Sequence, residues 1–334
     1  MIQSSLLLSD KIHTMSQSTN EKACVRGPLR FISDWDQSLQ GYAFPVGCIV
    51  MFTLVIYKTW KQMRTGMRNV SQLSLLILGL VELVLFTSFV PQMLIPHRGF
   101  YADAWFRRFY FDYVIPHTGV ANVLSVFDSF LTAFICYEFL LFTKNEKTKE
   151  IISSVRRQIV VYVAIFLFAL AIGAVSFFTY TNKSTYKCGD RFEYHPVPNF
   201  SLKVLEYISL MQSIFAIFLP SVLVAYTTHR ISQSVAYNTL PTEANELIST
   251  SSPNASGTVS QLKRNLVLLS IAFVVPHVLS FAPYLYIFNR SYARVLLSMV
   301  GSCTTLVLLS KIVCYYLLQR ISFLLAKIGV VHVY

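Results

Sequence analysis

Four ionisable residues lie deep inside long apolar runs of this 334-residue chain: Glu82, Asp128, Glu138 and Lys311. Taking a charge out of water is costly, so ionisable groups in such runs are paired, neutralised or put to use. The segment SFLTAFICYEFLLF (129–142) poses the problem most sharply, with Glu138 as its single acid. The chemistry on offer is electrostatic: charge pairing inside a bundle. No metal-spaced His/Cys set, glycine-rich phosphate loop or nucleophile elbow accompanies these residues, so neither an enzyme activity nor a cofactor is expected.

The elements that must position them are membrane helices. The chain is 54% hydrophobic and only 13% charged, more apolar surface than a soluble domain can hide. A crossing helix takes about 20 apolar residues, and seven stretches qualify: 42–60, 70–95, 110–142, 158–180, 203–230, 264–288 and 292–318. The third is longer than one span requires, so its ends are expected to project into loops. Pro45, Pro91, Pro220, Pro276 and Pro283 fall inside these runs and read as kinks. The net charge of +12 comes from basic residues that punctuate apolar runs, which argues for membrane loops and against a nucleic-acid partner. MIQSSLLLSD lacks the basic start and long apolar run of a cleavable leader, so the first span is expected to act as its own insertion signal. LISTSSPNASGTVS (247–260) reads as a flexible loop between spans five and six. The predicted organisation is an arm over 1–41, a seven-span domain over 42–318 with a loop at 231–262, and a short tail over 319–334.

Basic residues divide almost evenly between the two sides, so orientation rests on local features. Lys58, Lys61, Arg64 and Arg68 follow the first span with no acid among them. The sequons at Asn182, Asn199 and Asn289 all fall outside if the amino terminus is outside, whereas those at Asn69 and Asn254 would be inside and silent. That arrangement is the expectation, with glycans on Asn182 and Asn199. Cys48, Cys136, Cys303 and Cys314 lie in spans and read as small hydrophobes. Cys24 and Cys188 lie outside, where disulfides persist. A bridge between them would tether the amino-terminal arm to the second outer loop; two free thiols are the alternative.

Over about 42–323 the chain resembles rhodopsin-like G protein-coupled receptors. FPVGCIVMFTLVIYK is similar to their first helix, with Cys48 in the slot of an asparagine. LSLLILGLVELVLF is similar to the second, with Glu82 for the usual aspartate and Pro91 at the usual kink. IFAIFLPSVLVAYTTHRI resembles the fifth through Pro220 and Tyr226, and LKRNLVLLSIAFVVPHVLSFAP the sixth, with Phe281 in the tryptophan slot. YYLLQRISF resembles the end of the seventh and its membrane-surface continuation through Tyr316 and Phe323. The third helix fits in two registers. One makes Glu138 the acid of the Asp/Glu-Arg-Tyr motif, with Phe139 where arginine belongs. The other, anchored on Pro116 and Ser125-Val-Phe, puts Ile135-Cys136-Tyr137 there. Neither supplies the arginine, and Ile312-Val313 replace the seventh-helix Asn-Pro. YVIPHTGVANVLSVF resembles the third helix of invertebrate, nematode-type FMRFamide and chemoreceptor proteins, although the third-helix cysteine of the family is missing.

The resemblance implies an all-α integral membrane protein of the plasma membrane. It would be a seven-transmembrane helix bundle with its amino terminus outside and a short membrane-surface helix at the carboxyl end. It implies a receptor for a neuropeptide or a small molecule, with a heterotrimeric G protein and arrestin as inner partners and membrane lipid around it. Arrestin would dock on the hydroxyls of 249–252 once phosphorylated. Gln92, Asp112, His117, Glu206, Gln212 and Tyr284 would face the ligand, with Asp112 and Glu206 suited to a basic group. Glu82 occupies the slot of a sodium-holding acid, and Asp128 joins that layer only in the first third-helix register. Lys311 would pair with Glu82, or else snorkel to the headgroups beside a protonated Glu82. Tyr316 would be a core switch. Glu138, with no arginine after it, reads as a solvated or lipid-interface acid. Two other classes compete: a receptor-like protein that binds without activating G protein, and a transporter or channel, which would show polar residues stacked through several spans.

Overall fold

The computed structural model describes residues 42–65, 70–94, 104–144, 155–186, 192–238, 254–281 and 300–328. Helix α1 covers Phe44–Thr65, with Pro45 in its first turn, where a missing N–H costs nothing. Helix α2 covers Val70–Ser88. The chain turns at Phe89, whose N–H bonds the Phe86 carbonyl at 3.1 Å, and resumes as the short α3 over Val90–Leu94. The Pro91 kink is therefore a break, with the new helix starting one residue before the proline. Helix α4 runs unbroken over Ala104–Lys144, Pro116 included. At 1.5 Å per residue it is about 60 Å long, twice the hydrocarbon thickness, so it projects beyond the membrane as its apolar length predicts.

Helix α5 (Val155–Gly173) tightens into a 3₁₀ turn over Ala174–Phe178. Next comes an antiparallel hairpin, β1 (Tyr180–Tyr186) with β2 (Phe192–Pro198), paired from Tyr180↔Pro198 to Tyr186↔Phe192. The bundle itself is all-α as expected, and this hairpin is an addition to it. Tyr and Thr recur in β1, and Phe, Tyr and Val stand in β2; all suit a pleated ribbon. Pro196 and Pro198 are tolerated because each strand has a free edge. The hairpin packs on α4.

The fifth apolar run is α6 (Leu202–Ser213), a π turn (Ile214–Phe218) and α7 (Leu219–Asn238). The π turn precedes Pro220, which has no N–H to give; the Leu219 N–H reaches back five residues to the Ile214 carbonyl. Helix α8 covers Asn254–Phe281 and α9 Val300–Lys327. Two expectations change here. Residues 254–260, read as flexible, form the first turns of α8, because Thr258 and Leu262 continue the buried stripe of Leu266 and Leu269. The surface helix expected after Tyr316 is also absent through Lys327; α9 continues as one rod, with Leu317, Leu318, Ile321, Leu324 and Leu325 buried.

Among the described residues, five helices are long and apolar enough to cross a membrane: Pro116–Thr143, Arg156–Phe178, Lys203–Val235, Gly257–Ser280 and Thr305–Lys327. Phe44–Lys58 and Gln72–Ser88 are shorter apolar helices. The protein is a multi-pass helical membrane protein with α4 at its centre, touching α2, α5, α7 and the hairpin. Two of the glycines at close helix approaches bear on the sites below. A Cβ on Gly173 of α5 would stand 2.7 Å from the Val123 N and Cα of α4, and one on Gly79 of α2 would stand 2.7 Å from the Tyr315 hydroxyl of α9.

Candidate functional site

Among the described residues, three of the buried polar assemblies that several helices build bear on function. The first is a charged layer at mid-height. Lys311 of α9 forms an ion pair with Asp128 of α4, their side chains 2% and 1% exposed. Glu82 of α2 is equally buried beside Asp128, and its Oε2 and the Asp128 Oδ1 have no hydrogen-bond partner among the described residues. One proton on the two carboxyls would make the set of Glu82, Asp128 and Lys311 neutral as a whole. This neutrality allows the layer to exist in an apolar bundle, where an uncompensated charge would cost several kcal/mol. The expected Glu82–Lys311 pair is corrected to Asp128–Lys311, and a snorkelling lysine is excluded by its burial. Helical rotation supplies the reason. Residues 311 and 315 are one turn apart, and both Lys311 and Tyr315 face inward.

Tyr316 therefore points outward, 45% exposed, with the Arg320 Nε donating to its hydroxyl at 2.9 Å. The inward tyrosine is Tyr315, 2% exposed, lying against Gly79 and bonded to Gln319. Sequence reasoning took the wrong one of two adjacent tyrosines. The signal that separates them is the spacing from Lys311: four residues to Tyr315, five to Tyr316.

The second assembly surrounds Glu138, near the end where α4 finishes and α2 and α5 begin. Glu138 is fully buried, which corrects the solvated or lipid-interface reading. The Ser74 hydroxyl of α2 donates to its Oε2 at 2.8 Å, and the Gln158 Nε2 of α5 donates to its Oε1 at 2.6 Å. The Tyr162 hydroxyl is 2.5 Å from the Ser74 Oγ. Since Ser74 spends its one proton on Glu138, Tyr162 is the donor to Ser74. Three helices are thus tied to one carboxyl by neutral donors, an arrangement that hydropathy cannot reveal because all three segments are apolar runs.

The third assembly is a crevice between α4, α5, the α6–α7 bend and α8, enclosing about 30 Å³. Asn122, Ser125, Gln212, Ser213 and His277 give it polar walls, with Gly173 and Ile217 among the apolar ones. The Asn122 Nδ2 donates to the Ser176 Oγ at 2.8 Å, and the Gln212 Nε2 donates to the same oxygen and to the Ile172 carbonyl, both at 3.0 Å. His277 Nδ1 lies 2.6 Å from the Phe273 carbonyl and so carries its proton there. Ser125 stands one turn before Asp128 on α4, so the crevice floor adjoins the charged layer.

Among the described residues expected to meet a ligand, Gln212 lines this crevice, whereas His117 and Asp112 do not. His117 is buried elsewhere, 3.1 Å from the Ser88 Oγ and stacked on Tyr113, whose hydroxyl bonds the Ser88 carbonyl. Asp112 lies on the outside of α4, 4.0 Å from Arg108 one turn away. The side chains of Gln92, Glu206 and Asn182, and the whole of Tyr284, Cys24, Cys188 and 249–252, lie outside the described residues. Asn199 is described: its Nδ2 donates to the Phe178 carbonyl at 2.9 Å and its Oδ1 accepts from Thr181 at 2.5 Å. Asn122, Ser125 and His277 were not anticipated; as polar residues on apolar helices, they carry no sequence signal beyond that.

Compared with protein-family models and with curated proteins, the sequence matches none.

Proposed function

We propose that this chain is a receptor of the rhodopsin-like, seven-span type, taking a peptide or small-molecule ligand from outside and answering by moving α7 and α8. The observation that carries this reading is the crevice, where four elements bring Asn122, Ser125, Gln212, Ser213 and His277 together beside the charged layer. At about 30 Å³ the hollow has room for water only, so a ligand would enter it as α7 and α8 move. The layer beneath gives α2, α4 and α9 one shared electrostatic link that a movement of α4 would disturb. Asp128 in that layer is also what the register with Glu138 in the motif acid's slot requires. A transporter is less well supported, because the charged groups form a closed layer instead of a polar route through several spans.

Phe139 favours a second reading, a receptor-like protein that binds without activating a G protein. It is buried where the motif would place an arginine, and Glu138 beside it is held by neutral donors. The discriminating experiment is a peptide and metabolite library applied to cells expressing the chain, read by ligand-stimulated nucleotide exchange and, separately, by ligand binding. For a hit, Gln212→Ala should weaken binding about tenfold, as expected for a lost buried hydrogen bond, and Asp112→Ala should leave it unchanged. Binding without exchange selects the second reading, and hits indifferent to Gln212 and His277 variants reject the crevice.

A further inference from the structure

Four rings climb one face of α4 at one-turn spacing. Trp105 and Phe109 stack with centroids 5.7 Å apart, Phe109 and Tyr113 at 5.8 Å, and Tyr113 and His117 at 4.9 Å. At its foot the run turns sideways: His117 meets Phe89 edge-on at 4.8 Å, and Phe89 meets Phe44 at 5.8 Å. Phe44 is the first residue of α1, so residues 1–41 join the bundle at the foot of this ladder. Cover fails toward the top. Phe44 and His117 are buried, whereas Phe109 is 41% and Trp105 71% exposed. The turns that carry these two rings also carry the exposed Arg108 and Asp112, charges that keep them out of the hydrocarbon.

We propose that the ladder seats the chain's own amino-terminal arm, through the segment FISDWDQSL (31–39). The chemistry of the segment fits. Phe31, Trp35 and Leu39 offer apolar groups to the exposed rings, and Asp34 and Asp36, with no base in the segment, offer acids to Arg108. Arg108 stands 4.0 Å from Asp112 with both side chains largely in water, a loose contact that leaves guanidinium donors for a second acid. The reach fits as well. Trp105 lies three turns, about 18 Å, above His117, and the chain from Trp35 to Phe44 spans up to ~30 Å when extended. The starting point also fits, because Phe44 already lies on the same run of rings and docking extends the contact that α1 begins. Tethering favours the arm over a separate peptide, since it holds the segment at an effective concentration of about millimolar. The seating is independent of whether the chain is a receptor.

The test uses the full chain, purified in detergent and separately in lipid nanodiscs, under reducing conditions so that a Cys24–Cys188 bridge plays no part. Trypsin is applied briefly and the first cuts are located by mass spectrometry. The Arg30–Phe31 bond borders the seated segment, and the Lys11–Ile12 bond lies well outside it. In both preparations the Arg30 bond should be cut about tenfold more slowly than the Lys11 bond, because cleavage waits for the segment to leave the ladder. Trp105→Ala/Phe109→Ala should bring the two rates together. Both rings are exposed, so the variant should fold, and Trp105→Ala alone should give part of the same effect. Arg108→Glu should also speed the Arg30 cut, and should lose that effect once Asp34→Asn/Asp36→Asn has removed the acids. Equal rates at Arg30 and Lys11 in the native chain would overturn the proposal. So would a slow Arg30 cut indifferent to the ladder variants, which would seat the arm elsewhere. Protection in nanodiscs alone would assign the cover to lipid headgroups and overturn it too.

Discussion

Asp128 holds the position that hydropathy alone would least reward, a carboxyl paired with an ammonium and set beside another carboxyl inside a membrane bundle. The three partners are unequal, and that inequality is testable. Lys311→Met leaves two carboxyls with no cation and should destabilise the protein by ~3–5 kcal/mol. Asp128→Asn leaves the ammonium with Glu82 close by to take over, so its cost should be smaller. Glu82→Gln should be mildest, since an amide can still donate to Asp128. The Asp128→Asn/Lys311→Met double variant should recover part of the Lys311→Met loss. Thermal unfolding in detergent and surface expression would report the order; Glu82→Gln costing as much as Lys311→Met would refute it. At Glu138 the order follows from the direction of donation. Ser74→Ala strands both the Tyr162 hydroxyl and one oxygen of Glu138 and should cost ~1–3 kcal/mol. Tyr162→Phe, which removes only the outermost donor, should cost clearly less. Equal losses would mean that the hydroxyl relay from Tyr162 through Ser74 is wrong.

The elements were more legible than the faces they bury. Long apolar runs mark α1, α2, α4, α5 and α9 because crossing lipid demands length and composition, and Pro91 and Pro220 sit where the backbone does break or bulge. Rotation is different. A run that is apolar all round carries no stripe to say which side is inward, and one residue is about 100° of turn. That is why Glu138 read as a rim acid and why Tyr316 was taken for Tyr315. The hairpin was obscured by two prolines and by loop-like composition, and the first turns of α8 by a serine-rich approach. Gly173 is the element-scale feature on which the crevice depends. It lets α5 reach the α4 backbone at Val123, next to the Asn122–Ser176–Gln212 bonds. Gly173→Ala should destabilise by ~1–3 kcal/mol as overpacking does. Adding Val123→Ala should fail to rescue it, because the clash includes the Val123 N and Cα. Rescue by Val123→Ala would place the conflict in the side chain and weaken the case for backbone contact.

At the scale of the whole molecule, the hairpin and the crevice lie toward one end, and the Glu138 assembly toward the other. A receptor reading requires the hairpin end to be outside, and the sequons make that measurable. Asn199 has both polar atoms of its side chain engaged, bonding the Phe178 carbonyl and the Thr181 hydroxyl, so it latches the foot of the hairpin to the end of α5. An acceptor amide held in this way is a poor presentation for a glycan-transferring enzyme, which needs the segment free in a surface loop. Asn182, at the third position of β1 opposite Pro196, is the expected acceptor. Glycosidase treatment should therefore shift the expressed protein on a gel, Asn182→Gln should abolish the shift, and Asn199→Gln should leave it while lowering thermal stability. A shift that survives loss of both Asn182 and Asn199 but disappears with Asn69→Gln or Asn254→Gln would invert the orientation. The crevice would then face the cytosol, and the proposal of an outside ligand would fall with it.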